Sequence, residues 1–304
     1  MRQSDTADHT EAFRAYMEAI GVTPPEHVTP DGAIHRFHMA DERRDRKSGW
    51  YVYHSNGTYS HGAFGDWRAG ETHHWTAINP TDMHPVQRKY FELERKRLDR
   101  VRKAEQERRH AQAAKRAWKV WEHAREANID HEYLLDKGVR PHGIRKTNGQ
   151  LVIPMLDAKG RMHGLQYIAK NGEKRFLPGS AKRGHFYPLR NPTLDVVIVA
   201  EGFATAATLY EATTIPTVCA FDAGNLEPVA RAIDVFYRPP RIIIAGDNDR
   251  ATTGNPGRTA AIKAAKAVGG RYVLPDMGDK SCDFNDLGEE QGLQAVRQAI
   301  EAVL

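Results

Sequence analysis

The chain has few cysteines and no long apolar run. Cys219 and Cys282 are the only thiols among 304 residues, too few for a cysteine-rich zinc site or a disulfide framework. No apolar run reaches the length of about 18 residues that a membrane-spanning helix needs. The first residues are polar and partly acidic, unlike a secretory signal. These absences favour a cytoplasmic protein with no membrane partner.

The positive charge of the chain is concentrated in one segment. The formal net charge is +5, yet residues 83–127 alone carry 14 Lys or Arg against 7 Asp or Glu. The remainder is therefore slightly acidic. Such a basic segment favours a polyanionic partner such as nucleic acid. A solvated helix whose charges provide solubility fits the same pattern equally well.

Composition divides the chain into four predicted regions. Residues 1–80 are aromatic and carry short extended stretches between turns, which predicts a small, mainly β module. Residues 81–128 form a predicted basic linker, either one long helix or a helix pair, because 86–127 contain neither Gly nor Pro. Residues 129–192 and 193–304 are the two remaining predicted domains.

The last region alternates short apolar runs with helical stretches. This alternation predicts an α/β fold with a parallel sheet and right-handed crossovers. The predicted strands are Asp195–Ala200, Thr217–Phe221, Arg241–Ala245 and Tyr272–Leu274, and the predicted helices are Phe203–Ala212, Glu227–Tyr237, Arg258–Val268 and Gly292–Val303.

Acidic residues follow two of these strands. Glu201 ends the first, and Asp247 and Asp249 end the third. Groups at the carboxyl ends of parallel strands meet at one edge of a sheet. Clustered carboxylates repel one another unless a hard cation such as Mg²⁺ or Mn²⁺ lies between them. The pattern predicts a divalent-metal site for phosphoryl chemistry, although a single acid at such a position is often only a helix cap.

These two strand-end motifs resemble the signatures of the Toprim fold. The segments are VIVAEGFATA at 197–206 and IIAGDND at 243–249, and the fold is shared by bacterial primases, topoisomerases and certain nucleases. The resemblance implies that Glu201, Asp247 and Asp249 are catalytic, metal-binding acids. Within the group the chain looks most like the DNA primases.

Three further segments are similar to primase motifs. Residues 149–166 resemble a hairpin that precedes the Toprim domain, 174–189 resemble a basic groove for template and nucleotides, and 280–287 resemble a final acidic motif. The resemblance implies second-metal or neighbouring roles for Asp283 and Asp286, which could instead simply start a turn. It implies nucleotide or template contacts, as opposed to ordinary solvated charges, for Lys174, Arg175, Lys182, Arg183 and Arg145.

The first module departs from the family pattern. In replicative primases this region is a zinc ribbon that helps to recognise template DNA, but its cysteines are absent here. Scattered histidines make a poor replacement, so zinc is not expected. Tyr51, Trp67 and Arg68 are predicted to contact unpaired bases, as aromatic and basic residues do in single-strand binders. The alternative is that the aromatics form the core of a small domain.

The function predicted from this resemblance is RNA primer synthesis on a single-stranded DNA template from NTPs. A Toprim nuclease, and an inactive DNA-binding adaptor for replication, are the alternatives. No P-loop occurs in the sequence, so a replicative helicase, if one takes part, would act in trans.

Overall fold

The computed structural model describes residues 4–40, 47–55, 60–67, 72–77, 85–191 and 195–304. The chain divides into two compact units, Met1–Gln106 and Glu107–Leu304. This division falls inside a helix. The four boundaries expected from composition stay predictions.

The first unit packs one helix on a four-stranded antiparallel sheet. The helix α1 (Ser4–Ala19) was not predicted, because its polar sequence hides the two core residues Phe13 and Met17. Phe13 stacks on Tyr53 at 4.9 Å between ring centroids, which anchors the helix to the sheet. The strands are β1 (His35–Phe37), β2 (Gly49–Ser55), β3 (Ser60–Asp66) and β4 (His73–Thr76).

One helix, α2 (Pro85–His123), occupies the basic segment. The sequence left open a single helix or a pair, and the structure has the single helix. Its C-terminal half buries Ala113 and Ala117, and Ala117 packs against Val152 and Leu165. The small alanine side chains let the helix lie close to the sheet beside it.

That sheet is antiparallel, and its strands over 150–156 and 162–168 form the hairpin expected at residues 149–166. A two-residue turn at Asn148 and Gly149 joins two of its strands, and both residues have positive φ, as a type I′ turn requires. The strands are β5 (Arg125–Glu126), β6 (Arg145–Thr147), β7 (Gln150–Leu156), β8 (Met162–Ile168) and β9 (Lys174–Phe176), and the short helix α3 (Glu132–Asp136) lies between β5 and β6.

The C-terminal sheet has the predicted parallel α/β architecture. Its order is β10-β12-β11-β13-β14, and only β10 runs antiparallel. The strands are β10 (Tyr187–Pro188), β11 (Val196–Ala200), β12 (Thr217–Cys219), β13 (Arg241–Ala245) and β14 (Arg271–Val273). The helices are α4 (Phe203–Thr213), α5 (Leu226–Tyr237), α6 (Pro256–Ala267), α7 (Phe284–Gln291) and α8 (Leu293–Glu301).

The α/β prediction for this sheet is confirmed, since all four predicted strands are present within two residues of their observed ends. Both faces of the central strand β11 are covered: Ile198 packs in one apolar cluster, and Val197 and Val199 pack in another. Because both faces of β11 are buried, its sequence is apolar at every position instead of alternating with polar residues. Among the described helices, none combines the length and the apolar character needed to cross a membrane.

Candidate metal-binding acidic site

The carboxyl ends of β11 and β13 bring the predicted acids to one edge of the sheet. Ala200 and Ala245 are paired neighbours in the parallel ladder, so Glu201 and Asp247 leave adjacent strands at nearly the same level. The charges of Glu201 and Asp249 both act on Asp247. The structure therefore places the three acids within electrostatic reach of one another.

Burial makes this cluster costly to charge. Burial, and then the charges of Asp249 and Asp222, raise the pKa of Glu201 to about 7, against a hydrogen bond from the Ala223 backbone. Burial, and then the charges of Glu201, Asp283 and Asp249, raise the pKa of Asp247 to about 8. Without a cation, the low-energy state of the pair is thus partly protonated.

Two carboxylate oxygens of the cluster are buried without a hydrogen-bond partner. They are Oε2 of Glu201 and Oδ1 of Asp247. Buried acceptors of this kind are rare unless they serve a ligand or an ion. A divalent cation would neutralise the mutual repulsion and satisfy both oxygens, so the donor set fits a hard metal ion.

The carboxylates of the cluster are not arranged as the ligands of a bound metal ion would be. No group of three His, Cys, Asp or Glu side chains within the described ranges has the arrangement of a metal site. Glu201, Asp247 and Asp249 are the residues that would hold a cation.

Hydrogen bonds anchor the loop after β13. Asn248 Nδ2 donates to the Pro275 carbonyl at 3.0 Å, and the Asn248 backbone pairs with Cys282. Asp249 Oδ2 accepts a hydrogen bond from the Gly257 backbone N–H at 2.9 Å.

Gly257 is required by this close approach. A Cβ there would lie 2.5 Å from the Asp247 carbonyl oxygen and 2.9 Å from Asp249 Oδ2. Since the carbonyl belongs to the backbone, it cannot simply rotate away. Any side chain at 257 would displace the acidic loop.

Asp283 and Asp286 cap helix α7. Asp283 Oδ1 accepts from the backbone N–H groups of Asn285 and Asp286 at 2.7 and 2.9 Å, and Asp286 Oδ2 accepts from the Asp283 N–H at 2.9 Å. This is a reciprocal capping box. Both residues thus have a structural role, at the start of a helix where the sequence offered a turn as the alternative, while Asp283 still lies near enough to raise the pKa of Asp247. Metal roles for the two residues stay predictions.

Lys174 places a positive charge near the acidic cluster. Its charge lowers the pKa values of Glu201 and Asp247, and its Nζ lies 3.6 Å from the position a Cβ would take on Gly202. Arg175, the next residue on β9, is half-exposed and its Nε lies 3.7 Å from Glu173. Side chains of consecutive strand residues point to opposite faces of a sheet. Lys174 and Arg175 therefore do not both face the acidic site.

The other predicted basic residues are distributed differently. Lys182 forms an ion pair with Asp222, whose charge acts on Glu201, and Arg183 is exposed. Arg145 donates from Nη1 to the Trp121 carbonyl at 2.6 Å and lies over the Trp121 ring. That pairing gives Arg145 a structural role at the end of α2. A nucleotide contact by Arg145 stays a prediction without support from this geometry.

Sequence reasoning missed Asp222 as part of the site. It follows the short strand β12, so it carries the same strand-end signal as Glu201 and Asp247. The signal was weaker because the apolar run before it continued to Phe221, past the end of the strand.

The three residues of the first unit that were predicted to contact DNA differ in their exposure. Tyr51 is only 3% exposed and packs in the core with Phe37. Its ring has no free face for a base, which corrects the expectation that Tyr51 stacks on DNA. Trp67 is partly exposed, with the Arg36 guanidinium 5.9 Å from its ring centroid. Arg68 lies outside the described residues.

The chain is similar to known primases. A model of the Toprim domain matches residues 196–294. Two curated DNA primase TraC proteins of Escherichia coli are 35% and 32% identical to it, over 90% and 87% of this chain. The chain spans only 27% and 19% of the lengths of these two relatives. The solved zinc-binding and RNA polymerase domains of the Aquifex aeolicus primase are 16% identical, with a TM-score of 0.47, covering 99% of this chain and 83% of that one.

Proposed function

We propose, for a chain that carries a Toprim domain and is homologous to part of the TraC primases, that it synthesises RNA primers. The substrates are NTPs and the template is single-stranded DNA. The observation that carries the proposal is the acidic cluster at the ends of β11 and β13, with its two unpartnered buried oxygens. A helicase acting in trans is a further proposed partner.

Glu201, Asp247 and Asp249 hold Mg²⁺ or Mn²⁺ in this proposal. Such an ion would supply orientation of the triphosphate, activation of the attacking hydroxyl and stabilisation of charge on the pyrophosphate that leaves. In this proposal Glu201 would hold the ion and would also help to remove the proton from the primer 3′-hydroxyl. Asp283 and Asp286 fix the start of α7 beside the cluster, and Asp283 adds negative charge that strengthens cation binding.

In this proposal Lys174 neutralises phosphate charge next to the acids, and Lys182, which pairs with Asp222, adds a second positive charge. Arg175 and Arg183 are exposed enough to contact the template backbone. Arginine forms two parallel hydrogen bonds to one phosphate, which suits it to that role.

An assay with NTPs, Mg²⁺ and single-stranded DNA tests the function. Oligoribonucleotide products are expected. DNA shortened in the absence of NTPs would instead indicate a nuclease that uses the same acids with water as nucleophile. DNA binding without either product would indicate an inactive adaptor.

Lys174 and Arg175 form a matched pair of basic residues. We expect Lys174→Ala to raise the KM for NTPs by roughly tenfold, because a cation beside the phosphates is lost, and Arg175→Ala to change it less than about twofold. Steady-state kinetics on a fixed template measure both values. Equal effects on the KM for NTPs would contradict the assignment of Lys174 alone to the acidic site.

Within the described residues of the first unit, Trp67 is the aromatic residue that we propose contacts DNA. Trp67→Ala should weaken single-stranded DNA binding by roughly tenfold, because base stacking on an aromatic ring contributes about 1–3 kcal/mol, and leave NTP binding unchanged. Fluorescence anisotropy with labelled DNA and labelled nucleotide measures both. Equal losses, together with a lower melting temperature, would mean that Trp67 only supports the fold.

A further inference from the structure

Three histidines and an aspartate cluster away from the acidic site. The rings of His163 on β8 and His185 stack at 3.9 Å between centroids, inclined by 22°. His110 on α2 lies close enough for its charge to act on both His163 and His185. Asp157, in the turn before β8, contacts His163 Nε2 through Oδ2 at 3.0 Å. The proposed primer synthesis uses none of these four side chains.

The two stacked rings have unequal surroundings. Asp157 accepts hydrogen bonds from His163, from the Arg161 side chain and from two backbone N–H groups. Despite partial burial, these bonds hold the pKa of Asp157 at about 2, so His163 always faces a carboxylate. Nδ1 of His185, in contrast, is buried and has no hydrogen-bond partner within the described chain. Asp157 therefore bonds directly to one ring of the pair and acts on the other, His185, only through its charge.

His185 lies in a loop that continues to the acidic site. The Ala181 N–H donates to the His163 carbonyl at 3.2 Å, and the His185 N–H donates to the Lys182 carbonyl at 3.0 Å. Lys182 forms the ion pair with Asp222. The conformation of residues 181–186 therefore links the ring stack to Asp222, whose charge acts on Glu201.

Asn225 fastens the same loop from the other side. Its Oδ1 accepts from the Gly184 N–H at 2.8 Å, and its Nδ2 donates to the carbonyls of Lys182 and His185 at 3.1 and 3.0 Å. The loop is thus held by the Asn225 amide, by backbone hydrogen bonds of Ala181 to His163 and of Phe186 to Leu156, and by the stacked imidazoles. Of these, only the imidazoles respond to protons in the physiological range.

We propose that the stacked rings of His163 and His185 act as a proton-operated clamp, which holds residues 181–186 in place near neutral pH and releases them, with the Lys182–Asp222 pair, in mild acid. Proton binding to His185 puts a charge in a partly buried position beside the imidazoles of His163 and His110, where Asp157 and the Ala181 backbone compensate it only in part. The released loop exposes that charge to water. A protonated His185 is less costly in the released loop than in the closed loop, so proton binding shifts the equilibrium toward release.

The charged groups around His185 come from every element packed on it. The turn before β8 contributes Asp157 and Arg161, whose charges oppose each other, and α2 contributes His110 and Glu107, of which Glu107 favours a charged His110. The Tyr237 hydroxyl donates to the Ala158 carbonyl in the same turn and stays neutral. Burial and His163 outweigh Asp157 and the Ala181 backbone, and they lower the pKa of His185 to about 4.

The direction of the pH effect follows from this lowered value. An ordinary histidine titrates near 6.5, and His185 in the closed loop titrates near 4. The closed loop therefore has its full stability above pH 6.5 and loses it progressively as the pH falls toward 4. At pH 5 the two values correspond to roughly a 30-fold loss in the equilibrium for closure, and at pH 7.5 to almost none.

Hydrogen exchange of the metal-free protein, followed by mass spectrometry, tests the clamp. After correction for intrinsic exchange, peptides covering residues 181–186 should lose roughly 30-fold of their protection between pH 7.5 and 5. His185→Phe keeps a flat stacking ring and removes the titrating nitrogen, so its protection should change less than about twofold. His123→Gln, which replaces an exposed histidine at the end of α2, should behave as wild type.

Two results would overturn the clamp. One is the same loss of protection in His185→Phe as in wild type, and the other is full protection of wild type at pH 5. If His185→Phe does not fold, histidine-ring NMR of the wild type decides: a His185 midpoint well below 6.5 is expected, and an ordinary one rules the clamp out. Neither measurement uses DNA, NTPs or metal, so the outcome is independent of primer synthesis.

Discussion

Primer synthesis by Asp247→Asn is expected to fall by roughly a thousandfold or more below wild type. The substitution removes the most strongly perturbed carboxylate of the cluster, and with it an anionic oxygen that has no other partner. Loss of a metal that stabilises developing phosphate charge costs several kcal/mol in the transition state, and about 1.4 kcal/mol corresponds to each factor of ten. The assay is oligoribonucleotide formation at saturating Mg²⁺ and template.

Asp234→Asn provides the matched control for this experiment. It makes the same chemical change at an exposed position on α5 of the same domain, and its activity should equal that of wild type. Folded Asp247→Asn protein that retains about a tenth of wild-type activity would contradict the catalytic assignment. Loss of Mg²⁺ affinity in the same variant would also count against a vestigial acidic cluster.

Removing the same carboxylate should stabilise the metal-free protein at alkaline pH. The pKa of Asp247 rises from 3.8 to about 8 on folding, so its contribution favours the folded state only while the group is protonated. That contribution is complete below pH 3.8 and is lost as the pH rises toward 8. Wild type should therefore lose stability over this range, and Asp247→Asn should lose less. The difference is on the order of a few kcal/mol, discounted for coupling among the acids.

Urea unfolding with a chelator present, at pH 5, 7 and 8.5, measures this difference. The stability of wild type should fall below that of Asp247→Asn as the pH increases. Saturating Mg²⁺ should then raise the stability of wild type more than that of the variant, since binding to the folded state alone stabilises it. Parallel pH profiles for the two proteins would contradict a repelling, buried acidic cluster.

The central part of the fold was predictable because its signals are local. The runs before Glu201 and Asp247 are apolar and β-branched, since β11 and β13 are buried on both faces, and helical segments separate them. Parallel order then places both acids at one edge. The three acids were predicted from this reasoning and from the Toprim resemblance together.

Other features depend on contacts that no sequence pattern reports. Lys174 and Arg175 look alike in sequence, and only the face of β9 distinguishes them. Tyr51 looked like a surface aromatic, but α1 and its apolar residues, which the polar sequence of the helix concealed, complete the core around it. His163 and His185 are separated by a whole strand and a loop, so their stacking arises only from tertiary structure.

Mn²⁺ binding followed by electron paramagnetic resonance tests most directly whether the three acids share an ion. Wild type and the variants Glu201→Gln, Asp247→Asn and Asp249→Asn are titrated under identical conditions. Each substitution is expected to weaken the tightest site by roughly tenfold or more, since each removes one anionic ligand from the same ion. Unchanged affinity in Glu201→Gln, with Asp247→Asn weakened, would show that β11 does not contribute to the site and would contradict the account.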